Sequence, residues 1–412
     1  MEKELVLITN RYPFYPGEEF LKLELDFLCE KFRKVHIIPV NSADHTKQRE
    51  LPHNASVHLV PAFQKKNAVS FKMSAFQDAQ GRRWLLEERK RAGNFGLKGF
   101  GKLVSWTANA IHLRNYIENI IFKEQNPSKF VAYSYWLSLA PGIAFLKEKY
   151  SDLYAISRGH GGDIYDYRHS PPYLPYKQTL IHQLDKIYLI SQNGAEYLAE
   201  QTGGSASSLE VARLGTQKPE GLSHGSSDGI FRIVSCSYVV PVKRLELLVK
   251  SLAECQSRIH WTHIGGGPGL NELEGLAKEL PANITTEFTG NMANDEIVPF
   301  YLKNPIDLFI NVSSSEGIPV AIMEAFSCGI PSVATDVGGT GELVDETNGK
   351  LIPKDFEVTE LAKLLDHLSR LSFSEKEHLR KSAYQTWNGM YNAEKNYSDF
   401  AGEISGYGGT GS

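Results

Sequence analysis

Residues 308–334 read LFINVSSSEGIPVAIMEAFSCGIPSVA, and this stretch sets the fold from which the rest of the chain can be read. An apolar run, Leu308 to Val312, has strand composition, and a serine-rich loop follows it. Pro319 suits the first turn of a helix, where a missing N–H costs nothing and the fixed φ is already helical. Gly329 then suits the C′ position, and Pro331 blocks continuation. The spacing predicts strand, loop, helix, loop, strand. Glu316 falls in the loop at the carboxyl end of the first strand, and Glu324, eight positions on, lies about two turns along the helix. Between them, the amides around Gly317, Ile318, Pro319 and Val320 belong to a helix N-terminus, which attracts anions. Such a surface presents groups for hydroxyl, phosphate and hydroxyl in that order, the order found along a nucleoside-diphosphate sugar.

Working outward, short β-rich runs alternate with amphipathic helical patterns along the chain, the signature of parallel sheets built from βαβ units. The first unit is legible as a strand Leu5 to Thr9, a helix carrying Leu21, Leu25, Leu28 and Phe32 with Glu18 and Glu19 in its first turn, and a strand Val35 to Val40. Further strands of this sheet are expected at Phe130 to Tyr133, Ala155 to Ser157, Ile187 to Ile190 and Val211 to Leu214. The polar, glycine-rich segment Gly215 to Gly229 has linker composition. A second series follows, with strands at Phe231 to Cys236, Trp261 to Ile264, Thr285 to Thr289, Leu308 to Val312, Ser332 to Ala334 and Lys350 to Ile352. The expected architecture is α/β: two doubly wound domains, 1–217 and 218–385, facing one another across a cleft. Ligands of such sheets bind at the carboxyl ends of the strands.

Composition bounds the alternatives. The 412 residues carry Lys+Arg 44 against Asp+Glu 48, a formal charge of −4, so no overall field favours nucleic acid. Cys29, Cys236, Cys255 and Cys328 form no CxxC pair, which argues against a disulfide framework or a zinc knuckle. The opening MEKELVLITN has too short an apolar run for a signal or spanning segment, and the chain is expected in the cytoplasm. The tail GYGGTGS is read as a flexible end.

Glu316, Glu324, Ala325, Gly329 and Pro331 together spell E-x7-E followed by Ala-x-x-x-Gly-x-Pro. This pattern resembles the hallmark of the GT-B fold glycosyltransferases of family 4, the glycosyl transferases group 1, of bacterial surface-polysaccharide type. The resemblance implies two Rossmann-like domains and a C-terminal helix, 386–408, crossing back to the first domain. It implies contact of Glu316 with the donor sugar and of Glu324 with the ribose. Val239 to Arg244 resembles the family's V-P-x-K segment, so Lys243 is expected at the diphosphate. Many members have an arginine five residues before that lysine. Here that position is Tyr238, and Arg244 is the candidate replacement. Gly338 and Gly339 resemble the second glycine loop, whose amides face the donor. Gly265-Gly266-Gly267-Pro268 fails as a dinucleotide fingerprint because Leu270 stands where the third glycine is required. It resembles instead the family's loop near the nucleotide, with Asn291 and Met292 in the segment that reads the base. In the first domain, His160 and Asp163 match an H-G-x-D setting beside the reacting face of the sugar. Gly17, at the start of the first helix, suits close approach to phosphate or acceptor.

The function implied is a retaining, metal-independent glycosyltransferase. It moves a sugar from a UDP- or GDP-linked donor to a saccharide or lipid-linked saccharide acceptor in surface polysaccharide assembly. Neither cofactor nor metal is expected, since Lys243 and the helix terminus supply the positive charge that a leaving diphosphate needs. Two other readings keep the residues and change the chemistry: a sugar-nucleotide epimerase or phosphorylase, and a non-catalytic sugar-nucleotide-binding module. Between Pro61 and Ser105, ten basic residues outweigh three acidic ones, with Trp84, Phe95, Phe100 and Trp106 interleaved. That stretch, 61–106, is expected to touch anionic membrane from the cytoplasmic side.

Overall fold

The computed structural model describes residues 3–41, 47–66, 68–123, 125–203 and 208–407. The chain divides into two compact units, one running up to Ala212 and resumed from Tyr397 on, the other Arg213–Asn396.

The first unit is a seven-stranded parallel sheet. Its strands are β1 Glu4–Thr9, β2 Lys34–Pro39, β3 Ala55–Val57, β4 Phe130–Ser134, β5 Tyr154–Gly159, β6 Lys186–Leu189 and β7 Leu209–Val211, in the order β3-β2-β1-β4-β5-β6-β7. Helices cover both faces, as all-parallel strands require. They leave β1, β4 and β5 buried along their whole length. Helix α1, Leu21–Lys31, buries Leu21, Leu25 and Leu28 as its periodicity predicts. Glu18 and Glu19, however, precede it. Glu18 takes a left-handed φ of 57° in the β1 loop, a conformation held by the hydrogen bonds of its side chain. The last helix, Ala393–Gly406, seats Phe400, Ala401 and Ile404 against Leu5, Leu7 and Tyr133 in this unit's core.

The stretch expected to be a basic surface is helical: α2 Val69–Gln77, α3 Ala79–Gly93 and α4 Gly96–Tyr116. Trp84 is buried there and donates to Glu148, so it is core rather than surface. Phe95 and Trp106 are half-buried, and of the four aromatics only Phe100 is exposed. Arg83 is paired with Glu148, and Arg114 with Asp78.

The second unit is a six-stranded parallel sheet: β8 Phe231–Cys236, β9 Ile259–Ile264, β10 Ile284–Gly290, β11 Leu308–Asn311, β12 Ser332–Thr335 and β13 Gly349–Ile352, in the order β10-β9-β8-β11-β12-β13. Residues 215–229, composed like a free linker, are fastened to this unit. The indole of Trp387 donates to Thr216 Oγ1, Ser223 N to the Cys328 carbonyl, and Ser226 to Asp307. Strand order reverses between β1 and β4 in one sheet and between β8 and β11 in the other. Each reversal opens a crevice at the carboxyl ends of those strands.

Candidate active site

The reversal point of the second sheet gathers the residues singled out from sequence. The loop after β8 carries Lys243 and the loop after β11 carries Glu316. The Val242 carbonyl bolts the two loops together by accepting from Ser314 N at 2.8 Å. Lys243 Nζ then donates to Glu316 Oε1 at 2.6 Å, and Asn311 Nδ2 to the same oxygen at 3.2 Å. Both charged groups keep partial contact with solvent, at 24% and 12% of their side-chain surface, so the pair is reachable by a ligand. Asn311 was not anticipated. Its only sequence signal is a polar residue closing an otherwise apolar strand.

The helix Val320–Ser327 begins one residue later than predicted, with Pro319 as its N-cap. Its end follows the prediction: Gly329 adopts φ 71°, Gly329 N bonds the Phe326 carbonyl and Ile330 N the Ala325 carbonyl, a Schellman closure. The first-turn amides of Val320 and Ala321 have no carbonyl behind them within the helix, which leaves donors beside the Lys243–Glu316 pair. Glu324 lies within this helix, only 8% exposed. Burial pushes its carboxyl up to about 7, and Asn294 Nδ2 donates to it at 3.3 Å.

The glycine loops frame these groups. Gly338, at φ 56°, passes so close to the Glu316 loop that a Cβ would lie 2.1 Å from the Glu316 carbonyl. Gly339 N donates to the Gly317 carbonyl at 2.7 Å, so this amide, expected to face a donor, instead holds the Glu316 loop in place. A Cβ on Gly265 would sit 2.0 Å from the Ser237 carbonyl, and one on Gly267 2.8 Å from the Val239 backbone. These glycines therefore let the β8 and β9 loops interlock. Asn291 Oδ1 accepts from Gly266 N at 2.9 Å, fixing that turn, and Met292 beside it is partly exposed. Arg244 does not present a free cation. Its Nε donates to the Val312 carbonyl at 2.9 Å, its Nη2 to the Ser313 carbonyl at 3.3 Å, and its guanidinium lies over Phe356. It braces the end of β11 that supports Glu316.

In the first unit, His160 ends the β5 run and packs among Phe20, Tyr135 and Trp136. Burial and the neighbouring Arg158 charge pull its imidazole down to about 3, so the ring is neutral near pH 7. Nε2 lies 3.0 Å from the Tyr135 carbonyl, which can only accept, so Nε2 carries the proton and Nδ1 is an acceptor. Asp163 is spent on structure: one oxygen accepts from His160 N at 2.7 Å and the other from Ser138 N at 3.1 Å. These bonds fix the backbone at His160 and tie that turn to the loop after β4. Gly17, at φ 97° with open space about its Cα, donates to Glu19 and accepts from Arg49. The organiser of this loop is Glu18. Its carboxylate accepts from the amides of Asn10 at 3.0 Å, Arg11 at 2.6 Å and Tyr12 at 2.5 Å, and from the Trp136 indole at 2.6 Å. Among the described residues no group of three or more His, Cys, Asp or Glu could hold a metal ion.

Two parallel α/β units, each with its ligand-binding end at a strand-order reversal, define the GT-B class of fold. The lipopolysaccharide outer core galactosyltransferase WaaB shares it, with TM-score 0.70 at 13% identity over 97% of this chain and 99% of that one. So does Anabaena HepE, solved with UDP and glucose, with TM-score 0.65 at 15% identity over 98% and 99%. Residues 223–386, within the second unit, match the family model of the glycosyl transferases group 1. The O-antigen biosynthesis glycosyltransferase WbnH of Escherichia coli is 33% identical over 123 residues, 30% of this chain and 33% of that protein. The matched stretches span between 24% and 55% of the length of such curated relatives.

Proposed function

We propose that this protein is a retaining glycosyltransferase that transfers a sugar from a UDP- or GDP-linked donor to a saccharide or lipid-linked saccharide acceptor of surface polysaccharide. One observation carries the reading: the Lys243–Glu316 contact at 2.6 Å, set at the reversal point of the second sheet beside a free helix N-terminus. The family match and the UDP complex of HepE support it.

In this reading Glu316 accepts from donor sugar hydroxyls and Glu324 from the ribose, while Lys243 and the amides of Val320 and Ala321 take the diphosphate. The bond from the anomeric carbon to the phosphate oxygen breaks as the acceptor oxygen bonds to that carbon on the same face. The acceptor's proton passes to the departing diphosphate. Lys243 stabilises the charge that grows on the leaving group, a type of contact worth on the order of 10²–10³ in rate. That fixed cation makes metal unnecessary, so turnover is expected to persist in EDTA.

The test is release of nucleoside diphosphate from a panel of nucleotide sugars. Acceptor-dependent release that Glu316→Gln abolishes supports transfer. An isomerised nucleotide sugar, or tight binding without turnover in the presence of every acceptor class, defeats it.

Contact with an anionic membrane forms part of the proposal. Val69, Met73 and Phe76 stand exposed at helical spacing along α2, with Leu97 and Phe100 exposed on α4 among Lys72, Lys90 and Lys98. No helix among the described residues is long and apolar enough to cross a membrane. Flotation with anionic vesicles at low salt is expected and should fail with neutral ones. Flotation with neither, or equally with both, removes this element.

A further inference from the structure

The first unit holds a cavity of about 220 Å³ that the functional reading leaves unused. Asn10 after β1, Asn41 after β2 and Ser138 after β4 line it, with Trp106 and Asn109 from α4, so it lies at that sheet's own strand-order reversal.

Its chemistry is lopsided. Lys66 is the only charged group among the described residues lining it, and none of them is an acid. The ammonium donates to Asn41 Oδ1 at 2.6 Å, and Asn41 Nδ2 donates in turn to Asn10 Oδ1 at 2.5 Å. Among the described residues, two neutral amides thus hold this cation and no carboxylate pairs with it, and the Phe63 ring lies 4.8 Å away. Burial pulls this ammonium down to about 8. Asn109, another residue of the lining, keeps its Oδ1 buried without a hydrogen-bond partner. Such an orphan is costly and is satisfied by a donor.

The two demands select a ligand. A simple carboxylate answers Lys66 and gives Asn109 nothing, inorganic phosphate offers Asn109 only a P–OH with no ring to place it, and a neutral sugar answers Asn109 alone. We infer that this cavity binds a monosaccharide unit bearing an anionic group, either a uronate carboxylate or a glycosyl phosphate. Lys66 meets the charge, Asn109 accepts from a ring hydroxyl, and Trp106 supplies an apolar wall. The inference rests on the transferase reading only in assigning that unit to the acceptor.

The test is calorimetric titration of the full chain, held in saturating UDP whose own binding is measured first. The ligands are glucuronate, glucose 1-phosphate, glucose and inorganic phosphate. One or both acidic sugars should bind at least about tenfold tighter than glucose and than phosphate, the stronger of them naming the anionic group. Lys66→Gln should erase that preference and leave UDP affinity unchanged, while Asn109→Ala should weaken the acidic sugars and keep their advantage over glucose. Acidic sugars no tighter than glucose, phosphate as tight as glucose 1-phosphate, or a preference surviving Lys66→Gln each overturn the inference. UDP binding without acidic-sugar binding defeats this site and spares the transferase. Acidic-sugar binding with neither UDP nor GDP bound does the opposite.

Discussion

Replacing Glu24 by leucine should destabilise the first unit by about 3–5 kcal/mol, the range for removing one partner of a buried ion pair. Glu24 and Arg158 have no exposed side-chain surface, and Arg158 Nη1 donates to Glu24 Oε2 at 2.5 Å. Tyr133 OH donates to the other carboxylate oxygen at 2.9 Å. At an effective dielectric of about 20, charges roughly 4 Å apart attract by about 4 kcal/mol, which falls inside that range. Leucine would strip the guanidinium of the one carboxylate it pairs with among the described residues, and its Nε and Nη2 already lack partners there. The Tyr133 hydroxyl would also be orphaned. For a unit of this size, ~2–4 °C of melting temperature per kcal/mol gives a fall of about 6–20 °C by scanning calorimetry. The double variant Glu24→Leu with Arg158→Met should recover most of the loss, because an apolar pair of similar volume needs no desolvation. Arg158 also lies over Phe400 of the last helix at 4.3 Å and stands two residues before His160. A single variant within about 0.5 kcal/mol of wild type, or a double variant no better than the single, would refute this reasoning.

Four further outcomes are expected. Donor KM should fall as pH rises through about 7, because Glu324 ionises there and a carboxylate accepts from hydroxyls better than a carboxylic acid. Glu324→Gln should flatten that profile and raise donor KM more than it lowers kcat. Gly338→Ala should cut turnover at least tenfold and cost ~1–2 kcal/mol or more, since φ 56° is strained for alanine and its Cβ meets the Glu316 carbonyl; unchanged kinetics would contradict the framing role of that loop. His160→Phe should lower kcat without the acid-side pH step that a protonating histidine would give, because the ring stays neutral down to about 3. Stability should be greatest between about pH 6 and 7. His58 and His263, held down to about 4 by burial, and His160, held down to about 3, lose stability as pH falls from their unfolded value near 6.5. Asp163 and Glu324, raised to about 7, lose theirs as pH climbs from their unfolded values of about 4 up to about 7. Three histidines against two acids leave the maximum near pH 6.5, with no further fall from these groups above 7. Urea midpoints across pH 4–9 check the sign on both sides.

Much of the fold was legible because parallel strands buried on both faces are written as apolar runs, and β8 appears with its expected bounds. The short edge strand Ala55–Val57 was missed, and β7 lies two residues before its expected start, since half-buried edges carry a weak pattern. Glu316, Glu324 and Lys243 could be placed because local signals, a proline, a glycine and the end of a strand, fix where each projects. Asn311, Asn294 and Glu18 could not, because their partners are 5, 30 and up to 118 residues away. Lys66 and Trp106 looked like surface charge and surface aromatic. Only the packing of α4 against the first sheet turns them into the lining of a cavity.

Glu18 gives the molecule its asymmetry. The first sheet offers a nest of amides at the end of its first strand, the place where nucleotide-binding proteins seat phosphate, and there the chain has supplied its own anion. The amides of Ser237 and Val239 after the second sheet's first strand are instead bonded to the end of β9 and the loop after it. A diphosphate arriving there would have to evict a carboxylate anchored at four points. The first half of the chain is thereby insulated from the ligand its topology would otherwise invite, and it is free to specialise in something else.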